Sequence, residues 1–412
     1  MNYRLSPIGL FYNGNEDGPG NLALLDQQLA LHWVKDNIAT FGGDPDRITI
    51  FGESAGSACV SYHLLSESSQ GLFNNAVLQS GSATNYQWAY MDPTAAKELS
   101  REFSQSVGCR DENDLNCLQL LDASTLSESK VWLRPTTDGY FLKEEPAKSL
   151  KIGRVKRTSV IIGFNENEGT FGTAFLYRNL LKAWKYNGTI TKKQFSNALQ
   201  SVVYRMMGKS KEIYTRALEF QYSIHNWSKN LSYFDILTEI CGDFFMNCGI
   251  IKFAKGYMEA GGRVYMYKLS HRPVNTPIPT WMGVNHGLDL YYLFNNNEFQ
   301  FTREEQQLSQ HMMSYWTNLA KYGEPNKGSS LPSWPLYTKS NGFYLRLDVN
   351  DELTQAENLR EKECEFWNTY MPQLQSEIEK CIEVTSGTDS ARYAPRSISW
   401  LWLIAVAVRT MK

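Results

Sequence analysis

The stretch ITIFGESAGSACV, from Ile48 to Val60, constrains the fold of this chain more than any other. Ile48, Ile50 and Phe51 make a short apolar run of β-branched and aromatic residues, as found in a strand buried in a parallel sheet. From Ala55 onward, small residues followed by VSYHLL suit a helix. Ser54, at the corner between them, has to take a strained backbone conformation. The turn closes only if Gly52 and Gly56, two residues to either side, put no side chain in the way. Such a G-x-S-x-G elbow lifts a serine oxygen clear of a sheet at a helix N-terminus. The pattern also arises by chance, so it gains meaning only if a base and an acid exist elsewhere in the chain.

The surrounding segments fit one doubly wound α/β domain, for which 412 residues are enough. A helix is expected from about Leu22 to Thr40, with Leu25, Leu29, His32, Trp33 and Ile38 near helical spacing. NNAVLQSGS and TSVIIGFNENEGT each read as a buried strand ending in a polar loop, and GRVYMYKLSHRP as a further strand. Residues 170–247 read as helices capping the sheet. No repeat or low-complexity linker divides the chain, so residues 1–381 are taken as one domain and 382–412 as a tail. The 11 Trp, 23 Tyr and 20 Phe suit a large core, and a net charge of −2 with an even spread of acids and bases does not suggest a nucleic-acid partner. None of the seven cysteines forms a C-x-x-C pair, which argues against zinc. Sequons at Asn187, Asn226 and Asn230 point to the secretory pathway, yet MNYRLSPIGLFYNG is no signal peptide.

A triad of the α/β-hydrolase kind runs serine, acid, histidine along the chain. Of six histidines, His32, His63 and His311 fall in expected helices, His225 lies among the sequons, and His271 ends a strand. His286, in WMGVNHGLDL, occupies a loop beside glycine, where an imidazole can be placed freely. Glu166 and Glu168 both follow the VIIGF strand; Glu168, followed by glycine, is the preferred acid. Its task is to accept the imidazole N–H and stabilise the imidazolium formed when Ser54 loses its proton.

FGESAGS, GFNENEGT and MGVNHGLDL, together with GPGNLALLDQQLALHWV, LFNNAVLQSGS, YWTNLAKYGEPN and CEFWNTYMPQL, resemble the type-B carboxylesterase/cholinesterase family from residue 1 to about Cys381, most closely its cholinesterase branch. The resemblance implies an α/β-hydrolase fold with a mostly parallel sheet and cap helices. It also implies Ser54 as nucleophile, Glu168 as acid, His286 as base and Ala55 as oxyanion donor. Glu53 resembles a carboxylate that helps hold a quaternary ammonium, and Phe171 an aromatic of the choline site. Cys109–Cys117 and Cys248–Cys364 match family disulfides, Cys59 and Cys241 would be buried thiols, and Cys381 resembles a cysteine joining subunits into a homodimer through the C-terminal helix. No cofactor or metal is implied, and the substrate would be a small choline or other carboxylic ester.

The chain also departs from the family. The glycine-rich oxyanion loop, the main choline-binding tryptophan and the first disulfide lie upstream of the segment matching Met1-Asn2-Tyr3-Arg4. The resemblance therefore implies an N-terminally incomplete chain, without the first strands, that hydrolyses esters weakly or not at all. Ser129 and Val131 align with two acyl-pocket phenylalanines, and Leu288 with an aromatic usual after the His-Gly pair, so the site is expected to be looser. Trp88 is a candidate wall of the acyl pocket. In the tail, Ser386-Gly387, a polar spacer and the apolar run Ile398 to Val408 fit a GPI-anchor signal and are too short for a transmembrane helix. Three readings are weighed: an extracellular, secreted or surface esterase, a non-catalytic adhesion ectodomain of the neuroligin kind, and a truncated product with neither activity. Adhesion members of the family commonly lack a triad residue, whereas all three are present here.

Overall fold

A computed structural model of the chain describes residues 1–187, 189–207, 212–226, 232–294, 300–328, 331–349 and 354–386. Two compact units divide it, Met1–Asn368 and Thr369–Lys412. The boundary expected after residue 381 falls inside the second unit.

The first unit is built on a six-stranded sheet in sequential order. Its strands are β1 (Thr49–Glu53), β2 (Asn75–Gln79), β3 (Ser159–Asn165), β4 (Arg263–Leu269), β5 (Phe343–Leu347) and β6 (Thr354–Glu357). β1 to β5 run parallel and β6 closes the edge antiparallel to β5. β2 and β3 are buried at every residue, as strands covered on both faces must be. The register places Gly52 beside Leu78, Leu78 beside Ile162 and Ile162 beside Met266. The C-terminal ends of β1, β2, β3 and β4 therefore come out along one rim, and the loops leaving that rim carry the candidate residues.

On one face Val77, Ile161, Tyr265 and Tyr267 pack with Tyr292, Leu308, Met312, Tyr315, Leu319 and Trp334. The Arg303–Tyr322 helix supplies four of these; it begins at a capping box, Thr302 with Glu305, and ends at Gly323. Val160, Ile162 and Phe164 point the other way by strand alternation. The Ala55–Leu65 helix packs against β1 and β2, and the Cys248–Glu259 helix against β3 and β4.

The expected helix after residue 21 exists as Leu22–Asn37, continued by a short 3-10 turn, but its inward face is a correction. Ala23, Leu24, Gln27, Gln28 and Leu31 are buried, whereas Leu29 is 71% and Trp33 55% exposed, and His32 is exposed as well. Two glutamines share the inner face with Ala23, Leu24 and Leu31 because they find partners there. Gln28 Nε2 donates to Ser68 Oγ at 2.7 Å and to Ser69 Oγ at 3.0 Å, and Gln27 Oε1 meets His63 Nε2 at 3.1 Å.

The helical segment after β3 contains helices Gly169–Leu176, Arg178–Asn187, Lys192–Met207, Glu212–Asn226 and Tyr233–Gly242. It is pinned by a buried ion-pair network. Asp243 is fully buried and accepts from Tyr222 Oη (2.8 Å), Asn247 Nδ2 (3.0 Å) and Arg360 Nη2 (2.6 Å). A few residues away, Cys248 is bonded to Cys364, 116 positions later; Cys109 is bonded to Cys117 in a satellite cluster with Phe11, Phe103 and Leu133.

In the second unit, the helix Met371–Ser386 is described and carries exposed Cys381. Residues 387–412, with the Ile398–Val408 run and the anchor reading, lie outside the described residues. So do Asn230 and the side chains of Asn187, Asn226 and His225. Among the described residues no helix is long and apolar enough to cross a membrane.

Candidate active site

The turn between β1 and the Ala55–Leu65 helix carries Ser54 at φ 57°, ψ −118°. That region costs a residue with a side chain on the order of 1–3 kcal/mol. Hydrogen bonds hold it there: Ser54 N–H to the Gln79 carbonyl at 2.8 Å, and Ala58 N–H to the Ser54 carbonyl at 3.1 Å. A Cβ on Gly52 would lie 2.3 Å from the carbonyl carbon of Gly56, so the turn does demand glycine at 52. At Gly56 the expectation is corrected. A Cβ there meets nothing within 4 Å, because Gly52 packs on the main chain of Gly56 and not on the space a side chain would take.

Ala55 is the first residue of the helix, so its N–H is among the donors the helix itself cannot pair. That N–H stands next to the serine at the positive end of the helix dipole.

His286 lies between the turn at Thr280–Met282 and the helix Asp289–Phe294. Its Nε2 is 2.8 Å from Ser54 Oγ and its Nδ1 is 2.6 Å from Glu168 Oε2, although 232 and 118 positions separate the partners. Glu168 is buried. Its second oxygen accepts from Ser80 Oγ at 2.5 Å and from the Asn165 N–H at 2.7 Å. With Nδ1–H donating to the carboxylate, Nε2 is left to accept the serine hydroxyl proton. Glu166, the other acid considered, turns away to pair with Lys268 at 3.0 Å. His63 is buried between Ser69 and Gln27, and His271 pairs with Glu305 at 3.0 Å.

A second carboxylate approaches the ring: Glu53 Oε1 is 3.2 Å from His286 Nε2, and this buried oxygen makes no hydrogen bond. Burial raises the Glu53 carboxyl to about 7; the attraction of His286 opposes the rise, and Asp289 and Glu168 add to it. Burial alone would lower the His286 imidazole, yet Glu168 and Glu53 outweigh it and push it up to about 9. Asp289 is fully buried, accepts from Gln79 Nε2 (2.7 Å) and Tyr267 Oη (2.8 Å), and is raised by burial.

Phe171 is half exposed, and its ring centroid is 5.0 Å from that of His286. The Phe171 ring and the Glu53 side chain thus flank the same imidazole. Trp88 donates its indole N–H to the Phe245 carbonyl at 2.7 Å. A Cβ on Gly81 would touch both the Ser54 carbonyl oxygen (2.3 Å) and the Trp88 ring (3.2 Å), so the elbow and this ring both close on Gly81.

Other expected site residues lie elsewhere. Val131 packs on the satellite cluster of Phe103 and Cys109, and Ser129 Oγ meets Ser106 Oγ at 3.4 Å. Leu288 is fully buried in a core cluster with Tyr292 and Met312. Cys241 is buried, whereas Cys59 is only partly so. Among the described residues no cluster of His, Cys, Asp and Glu could hold a metal.

Ser80, the Asn165 N–H, Gln79, Tyr267 and Asp289 were not foreseen. Asp289 had a signal, being the lone charge in HGLDLYYLF directly after His286. Ser80 sits in one of the strand-end loops singled out in the sequence, but a serine there carries no further mark.

A carboxylesterase family model matches residues 1–367. The chain is 36% identical over 413 residues to a cholinesterase of Mus musculus, covering 94% of this chain and 65% of that protein. It is 35% identical over 398 residues to an acetylcholinesterase of Bungarus fasciatus (91% and 64%). To acetylcholinesterase 1 of Caenorhabditis briggsae it is 31% identical over 415 residues (92% and 66%). The chain thus spans just under two thirds of the length of these curated relatives.

Proposed function

The chain belongs to the carboxylesterase family, and from that premise we propose that it is a serine carboxylic-ester hydrolase of the cholinesterase kind. The observation that carries this reading is the continuous contact from Ser54 Oγ to His286 and on to Glu168, at 2.8 and 2.6 Å. Ser54 attacks the ester carbonyl while His286 takes its proton. The alcohol departs with that proton, leaving an acyl-serine and a neutral imidazole. Water then repeats the sequence, releasing the acid and restoring Ser54. Glu168 holds the ring and its tautomer, and the Ala55 N–H faces the developing oxyanion. Glu53 and Phe171 receive a quaternary ammonium on the alcohol side, and Trp88 bounds the acyl side. An adhesion role would need no such alignment.

In this reading the Ala55 N–H is the described donor to the oxyanion, and removing such a donor costs about 10²–10³-fold. The Cys109–Cys117 and Cys248–Cys364 bonds support an oxidising, extracellular setting. Glycans on Asn187, Asn226 and Asn230, a Cys381-linked homodimer and a GPI anchor in the tail belong to the same reading. Hydrolysis of acetylthiocholine and of an uncharged thioester of equal size tests it. Turnover that favours the cationic ester and falls to the buffer rate in Ser54→Ala is expected; equal rates for Ser54→Ala and the parent chain would overturn it.

A further inference from the structure

Two loops far apart in the chain must be held together for His286 to meet Glu168, and the contacts that do so converge on the residues flanking the acid. The Asn167 N–H donates to the Val284 carbonyl at 2.9 Å, and the Val284 N–H donates back to Asn167 Oδ1 at 2.9 Å. Thr170 Oγ1 donates to the Met282 carbonyl at 3.0 Å, and Asn165 Nδ2 to the Asn285 carbonyl at 2.9 Å. Gly283, at φ 56°, lets the loop pass so close that a Cβ there would stand 2.2 Å from Asn167 Oδ1.

Resting on the hydrolase reading above, we infer that Asn167 is a positioning residue for His286: its main chain and side chain together clasp Val284, two residues before the base. Asn167 is an exposed loop residue and Val284 is buried. The clasp therefore fastens the base loop from outside, while Val284 anchors it in the core. Its side-chain half orients without touching substrate. Displacements of about 1 Å at a reacting group can cost 10²-fold in rate, so one net hydrogen bond that fixes the loop is enough to matter.

The test compares Asn167→Ala, which deletes the side-chain acceptor, with Asn167→Asp, which keeps an oxygen in its place. Two readouts are taken on the full chain: kcat and KM for a thiocholine ester on the pH plateau, and the water-exchange rate of the downfield Nδ1 proton of His286 in NMR spectra. Asn167→Ala is expected to lower kcat about tenfold with KM unchanged and to speed that exchange at least fivefold. Asn167→Asp should restore both to within about twofold of the parent. Parent-like kcat and exchange in Asn167→Ala would overturn the inference, as would a loss that Asn167→Asp fails to repair. If no variant and no parent chain turns over ester, the hydrolase reading fails, and the exchange rate alone decides whether Asn167 positions the imidazole.

Discussion

Nδ1 of His286 lies 2.6 Å from a carboxylate oxygen of Glu168. The carboxylate is itself held in place, because its other oxygen takes hydrogen bonds from Ser80 Oγ and the Asn165 N–H. β3 ends at Asn165, so the sheet sets the acid, the acid sets the ring, and the ring sets which nitrogen faces Ser54.

Glu168→Gln would present an N–H or a weaker acceptor to Nδ1 and favour the wrong tautomer. Esterase kcat should fall by about 10³–10⁴ with the fold intact. Ser80→Ala removes one of the two donors to the far oxygen and should cost about tenfold, the worth of one hydrogen bond to a charged group. Steady-state kinetics beside near-ultraviolet circular dichroism would check both; equal losses would contradict this ordering.

A base can take the serine proton only when its ring is neutral. Glu168 and Glu53 raise the imidazole to about 9 against the opposing effect of burial. The acid limb of kcat/KM should therefore lie above the ordinary histidine value near 6.5, with activity climbing as pH rises. Glu53→Gln removes an anion 3.2 Å from Nε2 and should move the limb to lower pH by about one unit or more. A limb that stays in place would remove Glu53 from this role.

Acid should destabilise the fold through His63. Burial lowers this imidazole to about 4 from 6.5. The folded state thus refuses a proton that the unfolded chain accepts. The associated stability is present in full above pH 6.5 and is lost as pH falls through 4, about 3 kcal/mol in all. His63→Gln should flatten that part of a urea-midpoint profile between pH 7 and 4; an unchanged slope would count against it.

The two disulfides should differ in worth. Cys248–Cys364 closes a separation of 116 positions and Cys109–Cys117 one of 8. The chain-entropy relation gives about 5 and about 2.5 kcal/mol. Paired Cys→Ala variants compared by urea denaturation should show the larger drop for the long loop. Equal drops would mean that native contacts such as Arg360 with Asp243 dominate instead.

What the sequence revealed and what it hid divide along physical lines. The elbow at Ser54, the strand before it and the loops bearing Glu168 and His286 were legible, since each is a short local pattern whose backbone demands are written in glycine and apolar residues. The inward face of the Leu22–Asn37 helix was not, because Gln27 and Gln28 are buried by partners some forty positions away, at Ser68, Ser69 and His63. Leu288 looked like a site residue by its neighbour His286, yet only two positions later its side chain belongs to the core. Ser80 and Asp289 were missed for the same reason: a buried polar residue is recognisable only once its distant partner is in place.

The most direct test is stoichiometric labelling of the folded chain with a fluorophosphonate, read by peptide mass spectrometry. The account predicts one adduct, on the peptide containing Ser54, absent in Ser54→Ala and formed far more slowly in His286→Ala. A well-folded chain that takes up no label, or takes it up at another serine, would contradict it.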